Sequence, residues 1–590
     1  MLIQLLAVVL GLSITRAQSI QALLEPEPLR NVQSVPLCKN IPGDAGWPQQ
    51  QTWSRLNRTV NGGLISTVPM GSVCHDPTYN ESKCKELLQN WGLAQLDVPQ
   101  PAEFMSLYFQ NNSCTPFSPR SMKCELGNYA SYSINVRSID DVRAGLTFVQ
   151  KYNVRLVIKN SGHDFYGHST GKGSLALWMH NYNEVKLIKN YSSPYYNGPA
   201  MKVQTGAEGE AAASFAAEHG YTVVSGACPT VKMAGGYLAG GGHSYLAGIY
   251  GFGADNVLEW EIVKADGSRV VATPNQNTEL YWALSGGGGG TYGVVLSAIV
   301  RIFPSEVTAN AAFAFTANQA GGVDQFWDSI GAFHHELKPL IDQGVVAEYG
   351  LSNDSLIVTG IMAPGHTSSS LKSLLRPLLQ AISRTSKSKL TEKSLRIKYS
   401  QARGYYDLYR AQIQSHLEGL VFPATIAGRF IPREVMDQKP QNVGRALREI
   451  ANRGYSFAAI TLNAINSVRN QTAPPIAPNA VQPNFVAAYS SLMINPDWSN
   501  SMPWSEAEVL QKELVSEILP LFDAAIPNAG AYKNEANWAE KDIKGTFYGG
   551  TYDKLEAVKR EVDPSSLFYG ITSVGFDQFE WDNKGRLCRK

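Results

Sequence analysis

Two strand–helix–strand patterns, each running straight into a glycine-rich loop, constrain this chain more than any other feature. In the first, residues 133–136 alternate as a strand, 139–153 carry helical apolar spacing, and 155–158 are strand-like again. It ends in Asn160-Ser161-Gly162-His163-Asp164-Phe165-Tyr166-Gly167-His168-Ser169. The second reads strand 201–205, helix 209–217, strand 222–224, and ends in Gly226-Ala227-Cys228-Pro229-Thr230-Val231. Gly235-Gly236 and Gly240-Gly241-Gly242 follow at once. The repeated order predicts helices layered on sheet rather than a β-sandwich. A histidine in one loop and a cysteine in the next predict two loops gripping one bound group.

With 590 residues the chain exceeds one ordinary core, so a body of two lobes is expected. A net charge of +1 gives no electrostatic reason to expect nucleic acid or an anionic membrane as partner. The apolar run over 2–14, followed by Thr15-Arg16-Ala17, reads as a signal peptide at 1–17 and predicts secretion. It is too short to span a membrane, and no other run reaches about 18 apolar residues. Asn-x-Ser/Thr sequons at Asn57, Asn80, Asn111, Asn190, Asn353 and Asn470 agree with export and glycosylation. Of seven cysteines, six suit three disulfides, expected as Cys74–Cys84, Cys114–Cys124 and a long-range Cys38–Cys588, although spacing leaves connectivity open. Cys228 is the odd one.

Residues 18–125 are loop-rich, with one helical stretch near 82–91. A strand over 256–264 turns through Ala265-Asp266-Gly267-Ser268 into 269–272 as a hairpin. Five glycines, Gly286 to Gly290, then precede Thr291-Tyr292-Gly293-Val294. They contain a formal G-x-G-x-x-G at Gly288, Gly290 and Gly293, but no strand runs into it and no acid lies about 20 residues on, so it is not a Rossmann fingerprint. From 303 to about 530 a second lobe of strands and amphipathic helices is expected, with a Pro-rich linker at 472–483. The basic run 384–398 reads as a solvated helix face. Four glycine-rich segments in one lobe imply close backbone approach to a ligand, through nests suited to a pyrophosphate. No metal-ligand spacing accompanies His163 and His168, and no G-x-S-x-G elbow is present.

The set Ser161-Gly162-His163-Asp164, Cys228-Pro229-Thr230-Val231, Tyr250-Gly251-x-Gly253-Ala254-Asp255-Asn256-Val257 and Leu280-Tyr281-Trp282-Ala283-Leu284 resembles the berberine bridge enzyme-like flavin oxidases. These belong to the vanillyl-alcohol oxidase superfamily with its PCMH-type domain, and the likeness is to secreted fungal isoamyl alcohol oxidase-like members. It runs from about Cys38 to Cys588, strongest over 129–305 and 531–575. The resemblance implies an α+β fold: a disulfide-containing extension at 18–125 and a two-subdomain PCMH-type FAD lobe at 126–305. A substrate lobe with a helix-covered antiparallel sheet follows at 306–530, and a C-terminal segment at 531–590 returns to the FAD lobe.

It further implies bicovalent FAD, through His163 to the 8α-methyl and Cys228 to carbon 6. The other cofactor contacts implied are Ser161, Gly162, Asp164, Gly167, Ser169, Thr230, Gly235, Gly236, Gly240, Gly241, Asp255, Val257, Gly293 and Val294. Val231 is expected beside the oxygen pocket, and Tyr532 is expected to take the substrate's hydroxyl proton. Departures from the family pattern fall at Thr551, usually Asn, and Asn537, commonly an acid; both are expected where the tail closes over flavin and substrate.

The expected function is a secreted, monomeric oxidase without metal. It takes hydride from a C–H beside an alcohol, sugar or natural-product hydroxyl and passes electrons to O2, giving H2O2. Two rivals stand beside it: a secondary-metabolite pathway oxidase doing ring closure or desaturation, and an exported binding protein without turnover. Residues 306–530 carry no motif tied to a substrate.

Overall fold

The computed structural model describes residues 37–414 and 425–590; the signal peptide expected at 1–17 lies outside them. The lobe expected to bind FAD, called the FAD lobe below, holds two sheets. The first has the order β1 (Leu64–Ser66), β2 (Tyr132–Asn135), β4 (Ser174–Trp178), β3 (Arg155–Lys159), with β2, β4 and β3 parallel and β1 antiparallel at the edge. Helix α1 (Ile139–Lys151) makes the crossover between β2 and β3. Ser138 starts it with a capping box shared with Asp141, which satisfies two otherwise orphaned N–H groups. Gly145 lets it press on the sheet, since a Cβ there would lie 2.7 Å from Leu177. The helix expected near 82–91 is Glu81–Asn90.

The second strand–helix–strand pattern does not build a parallel unit. Its strand belongs to β6 (Asn197–Gln204), which pairs antiparallel with β5 (Val185–Ser192) in a hairpin. The sheet order is β5, β6, β9 (Val294–Arg301), β7 (Val257–Val263) and β8 (Arg269–Ala272), antiparallel throughout. Helix α2 (Gly209–Glu218) follows β6, but the strand after it is only Tyr221–Thr222 and pairs with Phe303–Pro304 instead. The pattern misled because β6 finds its partners in β5 and β9, leaving no edge for a crossover.

The second lobe is one seven-stranded antiparallel sheet: β10 (Thr308–Thr316), β11 (Val346–Leu351), β12 (Ser355–Pro364), β13 (Lys398–Ala402), β14 (Ala427–Pro432), β15 (Ser456–Thr461) and β16 (Ala488–Asn495). Their spatial order is β13, β10, β12, β11, β15, β16, β14. Side chains alternate across it. Ala347, Tyr349, Phe457, Ala459, Leu492 and Ile494 join a core with the helices Val323–Ile341, Ser368–Thr385 and Pro440–Asn452. Glu348, Ala458, Ile460, Ser491 and Met493 face the FAD lobe. This is the α+β class implied by the resemblance.

The three disulfides are Cys38–Cys588, Cys74–Cys84 and Cys114–Cys124, with Cys228 free. The first ties the described chain's two ends, and a closing hairpin of Phe579–Trp581 with Leu587–Arg589 holds Cys588 in place. Among the described residues no helix is long and apolar enough to cross a membrane.

Asp255, expected at the cofactor, does a different job. Its carboxylate accepts from Arg469 Nη2 at 2.6 Å, Phe252 N at 2.9 Å and Asn479 Nδ2 at 2.7 Å, and its carbonyl accepts from Ile476 N at 3.0 Å. Apart from Phe252 N, the partners come from the helix Ser467–Thr472 and the Pro-rich linker, so Asp255 pins the linker to the first lobe. Its side chain and that of Arg469 are both buried. Replacing Asp255 by Asn should therefore strand a buried guanidinium and lower stability by about 3–5 kcal/mol. Flavin content per folded molecule should stay unchanged, and a flavin-free but equally stable variant would return Asp255 to the cofactor. Removing the Cys38–Cys588 pair should cost about 2–5 kcal/mol in denaturant unfolding.

Candidate active site

A cleft between the lobes is walled by the His163 loop, the Cys228 loop, the glycine runs and the strand floor. The His163 loop is shaped by its own backbone. Gly162 takes φ +88°, and Asp164 accepts N–H groups from Tyr166 at 3.2 Å, His168 at 2.6 Å and Ser169 at 3.1 Å. Three N–H donors drawn to one carboxylate bend the loop into a turn whose open side faces the cleft. Beneath it, Lys159 Nζ donates to the carbonyls of Asp97, Val98 and Gln100, tying the N-terminal extension to β3.

The two loops meet at Thr230. His163 Nε2 lies 2.7 Å from Thr230 Oγ1, and the same oxygen is 3.9 Å from Cys228 Sγ. Burial, aided by Lys159 and Lys232, pulls the His163 imidazole down to about 3, so it is neutral with one nitrogen free to act as a base or nucleophile. Burial pushes the Cys228 thiol up to about 11 against the opposing hydrogen bonds of Thr230. The apoprotein therefore holds a protonated thiol at Cys228. Val231 lines the cleft beside Cys228.

The glycine wall has the shape a flat group requires. A Cβ on Gly236 would meet no protein atom within 4 Å, and one on Gly290 only Ile158 Cδ1 at 3.9 Å, so both would project into the cleft. Gly289 packs against Gly236 so closely that its Cβ would fall 2.8 Å from the Gly236 Cα. These bare walls, a neutral imidazole and a free thiol fit the isoalloxazine and pyrophosphate of FAD.

Ser161, Gly162, His163, Asp164, Ser169, Cys228, Val231, Gly235, Gly236, Gly293 and Tyr532 all line the cleft. Others expected at the cofactor stand behind it. Thr230 acts through His163 and Cys228, and Gly167 packs under Phe109. Gly240 makes room for Asn534, and Gly241 for Phe485 and Val481. Val257 and Val294 are core residues of their strands. The two departures also fall outside it. Asn537 is a buried amide bridging Gln511 and the Ile426 carbonyl, and Thr551 caps the Tyr548 carbonyl. They leave the cleft as it is, contrary to the sequence expectation.

Tyr532 is stacked on Phe485 at 4.7 Å and meets the His243 edge at 5.2 Å. Its hydroxyl accepts from Asn534 Nδ2 at 2.8 Å. Burial and the Glu535 carboxylate hold its pKa far above the ordinary phenol value, so it keeps its proton and serves as a donor rather than the expected base. Sequence reasoning missed three cleft residues. His243 pairs with Glu535 at 2.9 Å; burial disfavours its charged form, but Glu535 outweighs that and the net shift is upward. Lys533 Nζ donates to Tyr548 Oη at 2.7 Å, and burial pulls it down to about 7. Glu348 rises from the floor. The available signals were a histidine directly after three glycines and one acid at an inward position of an apolar strand, Val346-Ala347-Glu348-Tyr349-Gly350-Leu351.

Family models described as "FAD binding domain" and "Berberine and berberine like" match residues 130–273 and 531–575. The chain is 40% identical over 566 residues to the VAO-type flavoprotein oxidase VAO615 of Thermothelomyces thermophilus, covering 95% of this chain and 96% of that one. It is 38% identical over 564 residues to the bifunctional decalin synthase calF of Penicillium decumbens, covering 94% and 95%. The crystal structure of the VAO-type flavoprotein MtVAO615 from Myceliophthora thermophila C1 superposes with a TM-score of 0.87 at 38% identity, over 94% of this chain and 100% of that one. The chain belongs to the berberine bridge enzyme-like branch of the VAO flavoprotein superfamily, and it is an FAD-linked oxidoreductase.

Proposed function

We propose that this chain is a secreted, glycosylated oxidase whose FAD is attached through both His163 and Cys228. It removes hydride from a C–H beside a hydroxyl of a natural product, with O2 as acceptor and H2O2 as product. The observation that carries this reading is the meeting of His163 and Cys228 at one threonine hydroxyl on the cleft wall. With its proton on Nε2 and donated to Thr230, the imidazole presents its lone pair at Nδ1. When bound, FAD supplies a two-electron acceptor.

The rest of the cleft orients substrate. Tyr532 offers a hydroxyl hydrogen bond, and the His243–Glu535 pair supplies a fixed dipole. The floor of Ala458, Ile460 and Met493 favours a hydrophobic skeleton over an oligosaccharide, whose hydroxyls would be left unpaired there. The name of the decalin synthase relative supports the pathway form of the reading, oxidative ring closure or desaturation. Export is supported by the 1–17 segment and by the exposure of Asn80, Asn111, Asn190, Asn353 and Asn470; Asn57 is half-buried, its Oδ1 accepting from Leu64 N.

Protein precipitated in acid should stay yellow, and one proteolytic species should contain the His163 and Cys228 peptides joined through FAD. A colourless pellet overturns the covalent reading. Cys228→Ala should keep flavin on His163 alone and slow anaerobic flavin reduction. Thr230→Val, which removes the partner of Nε2, should lower the covalently held flavin fraction without lowering the melting temperature by more than a few degrees. Peroxide released in step with substrate oxidation tests the acceptor.

A further inference from the structure

The floor of the cleft carries one ionisable group, and the sheet is deformed to present it. Strand β11 pairs with β12 in regular register as far as Glu348↔Gly360, then resumes at Tyr349↔Val358, leaving Thr359 as an extra residue. A bulge of this kind re-aims a side chain. Thr359 Oγ1 reaches back to the Glu348 carbonyl at 3.0 Å and to Oε2 at 3.4 Å. The buried Tyr245, which follows the Gly240–Gly242 run, donates its hydroxyl to the same Oε2. Both side-chain hydrogen bonds fall on one oxygen. Oε1 is left toward the cleft, beside Ile460 and Ser491 in the adjoining strands, which are in register with Glu348.

We propose that Glu348 is the catalytic base, and that the substrate is a hydroxyl-bearing apolar skeleton seated on this strand floor. The inference rests on the oxidation reading above. In the step, the substrate O–H proton passes to Glu348 Oε1, giving a carboxylic acid. The electron pair of that O–H bond becomes the second bond of a C=O as the neighbouring hydrogen leaves carbon with its own pair to the FAD this family carries. The substrate loses H⁺ and H⁻; the carboxylate gains the first and FAD the second. Tyr532 does not compete, because burial and the Glu535 carboxylate hold its pKa far above the ordinary phenol value.

The charged and titratable groups around Glu348 set when it is ionised. His243 and Tyr245 come from the glycine loop, Glu535 from the C-terminal segment, Cys228 from its loop and Tyr405 from the helix Tyr405–Tyr409. Burial pushes the carboxyl up and Glu535 adds to this, while His243 and Thr359 oppose, leaving it at about 7. Below that value the group is an acid and accepts no proton; above it the carboxylate does.

The test uses the flavoprotein as purified and 4-methoxyphenol as probe, a neutral hydroxyl donor over the range needed, with affinity read by calorimetry. For wild type, affinity should rise at least about tenfold from ~pH 5.5 to ~pH 8.5, following the ionised fraction. Glu348→Gln, close in shape and free of the buried charge, should fold and bind with no pH dependence. Tyr245→Phe removes a donor to the carboxylate, so it should move the midpoint upward and keep the high-pH plateau. A flat wild-type profile, or an unchanged rise in Glu348→Gln, overturns the assignment. No binding heat at any pH overturns the substrate class. Acid precipitation of the same samples reports flavin attachment separately, so a colourless pellet counts against the covalent reading and leaves the pH profile to be judged by itself.

Discussion

One threonine hydroxyl joins two pieces of chain that belong to different sheets. The His163 loop leaves the parallel sheet at β3, and the Cys228 loop belongs to the antiparallel sheet's side of the lobe. Thr230 lies within hydrogen-bond reach of the imidazole and near the thiol. A single neutral hydrogen bond contributes only about 1 kcal/mol, so it is not what holds the lobe together. Its importance is geometric. Placing a neutral nitrogen and a free thiol on one wall needs both loops in register, and the register is set by buried supports. Asp164 gathers three N–H groups, and Asn160 Nδ2 donates to the Thr205 carbonyl at 2.8 Å, coupling β3 to the end of β6.

The second constraint is the alternation of the seven-stranded sheet. Because successive side chains point to opposite faces, the strands that bury Tyr349, Ala459 and Leu492 under helices must present Glu348, Ala458 and Ser491 to the other lobe. The fold thus decides which positions meet the substrate, and sequence fills them. Two lobes that share no sheet are held in place by the C-terminal segment. Phe430 N donates to the Gly530 carbonyl at 2.9 Å on one side, and Asn534 Nδ2 donates to the Gly236 carbonyl at 2.9 Å on the other. Arg429, paired to Glu540 at 2.6 Å and Asp523 at 2.7 Å, anchors the same segment through a buried ion pair.

What was legible in the sequence follows the range of the forces involved. The helix Ile139–Lys151 is local, written in apolar spacing, and the reading of 139–153 overran its end by two residues; the Ser138 cap that starts it was not read. His163 and Cys228 stood out because glycine is needed wherever backbone must approach a ligand, and those runs are visible in one dimension. The second crossover was misread because its strand length and polarity suited either sheet type; only the β5 hairpin decides, and that partnership is tertiary. Asp255 looked like a cofactor residue because it lies in a glycine-rich motif. Apart from Phe252 N, its side-chain partners are more than 200 residues away, at separations of 214 for Arg469 and 224 for Asn479, so nothing local could reveal the ion pair. Glu348 was hidden for the same reason: one acid in a strand has no meaning until the bulge and Tyr245 give it a direction.

The distribution of charge in the cleft explains why so polar a set is stable there. His243 and Glu535 sit 2.9 Å apart, and burial disfavours the charged imidazole while the Glu535 carboxylate favours it, for a net upward shift. Glu348 is then the unpaired acid, and a second full negative charge beside Glu535 is disfavoured, which is why burial and repulsion leave it near neutrality rather than ionised throughout. An acid held in this way destabilises the fold above its unfolded pKa, because the native state binds a proton that the unfolded chain has released. Perturbed acids that face a cleft cluster at functional sites, where their proton affinity is used. Tyr532 follows the opposite logic. The carboxylate that forbids its ionisation makes its hydroxyl a dependable donor, so the same local field that raises Glu348 into the working range keeps Tyr532 out of it.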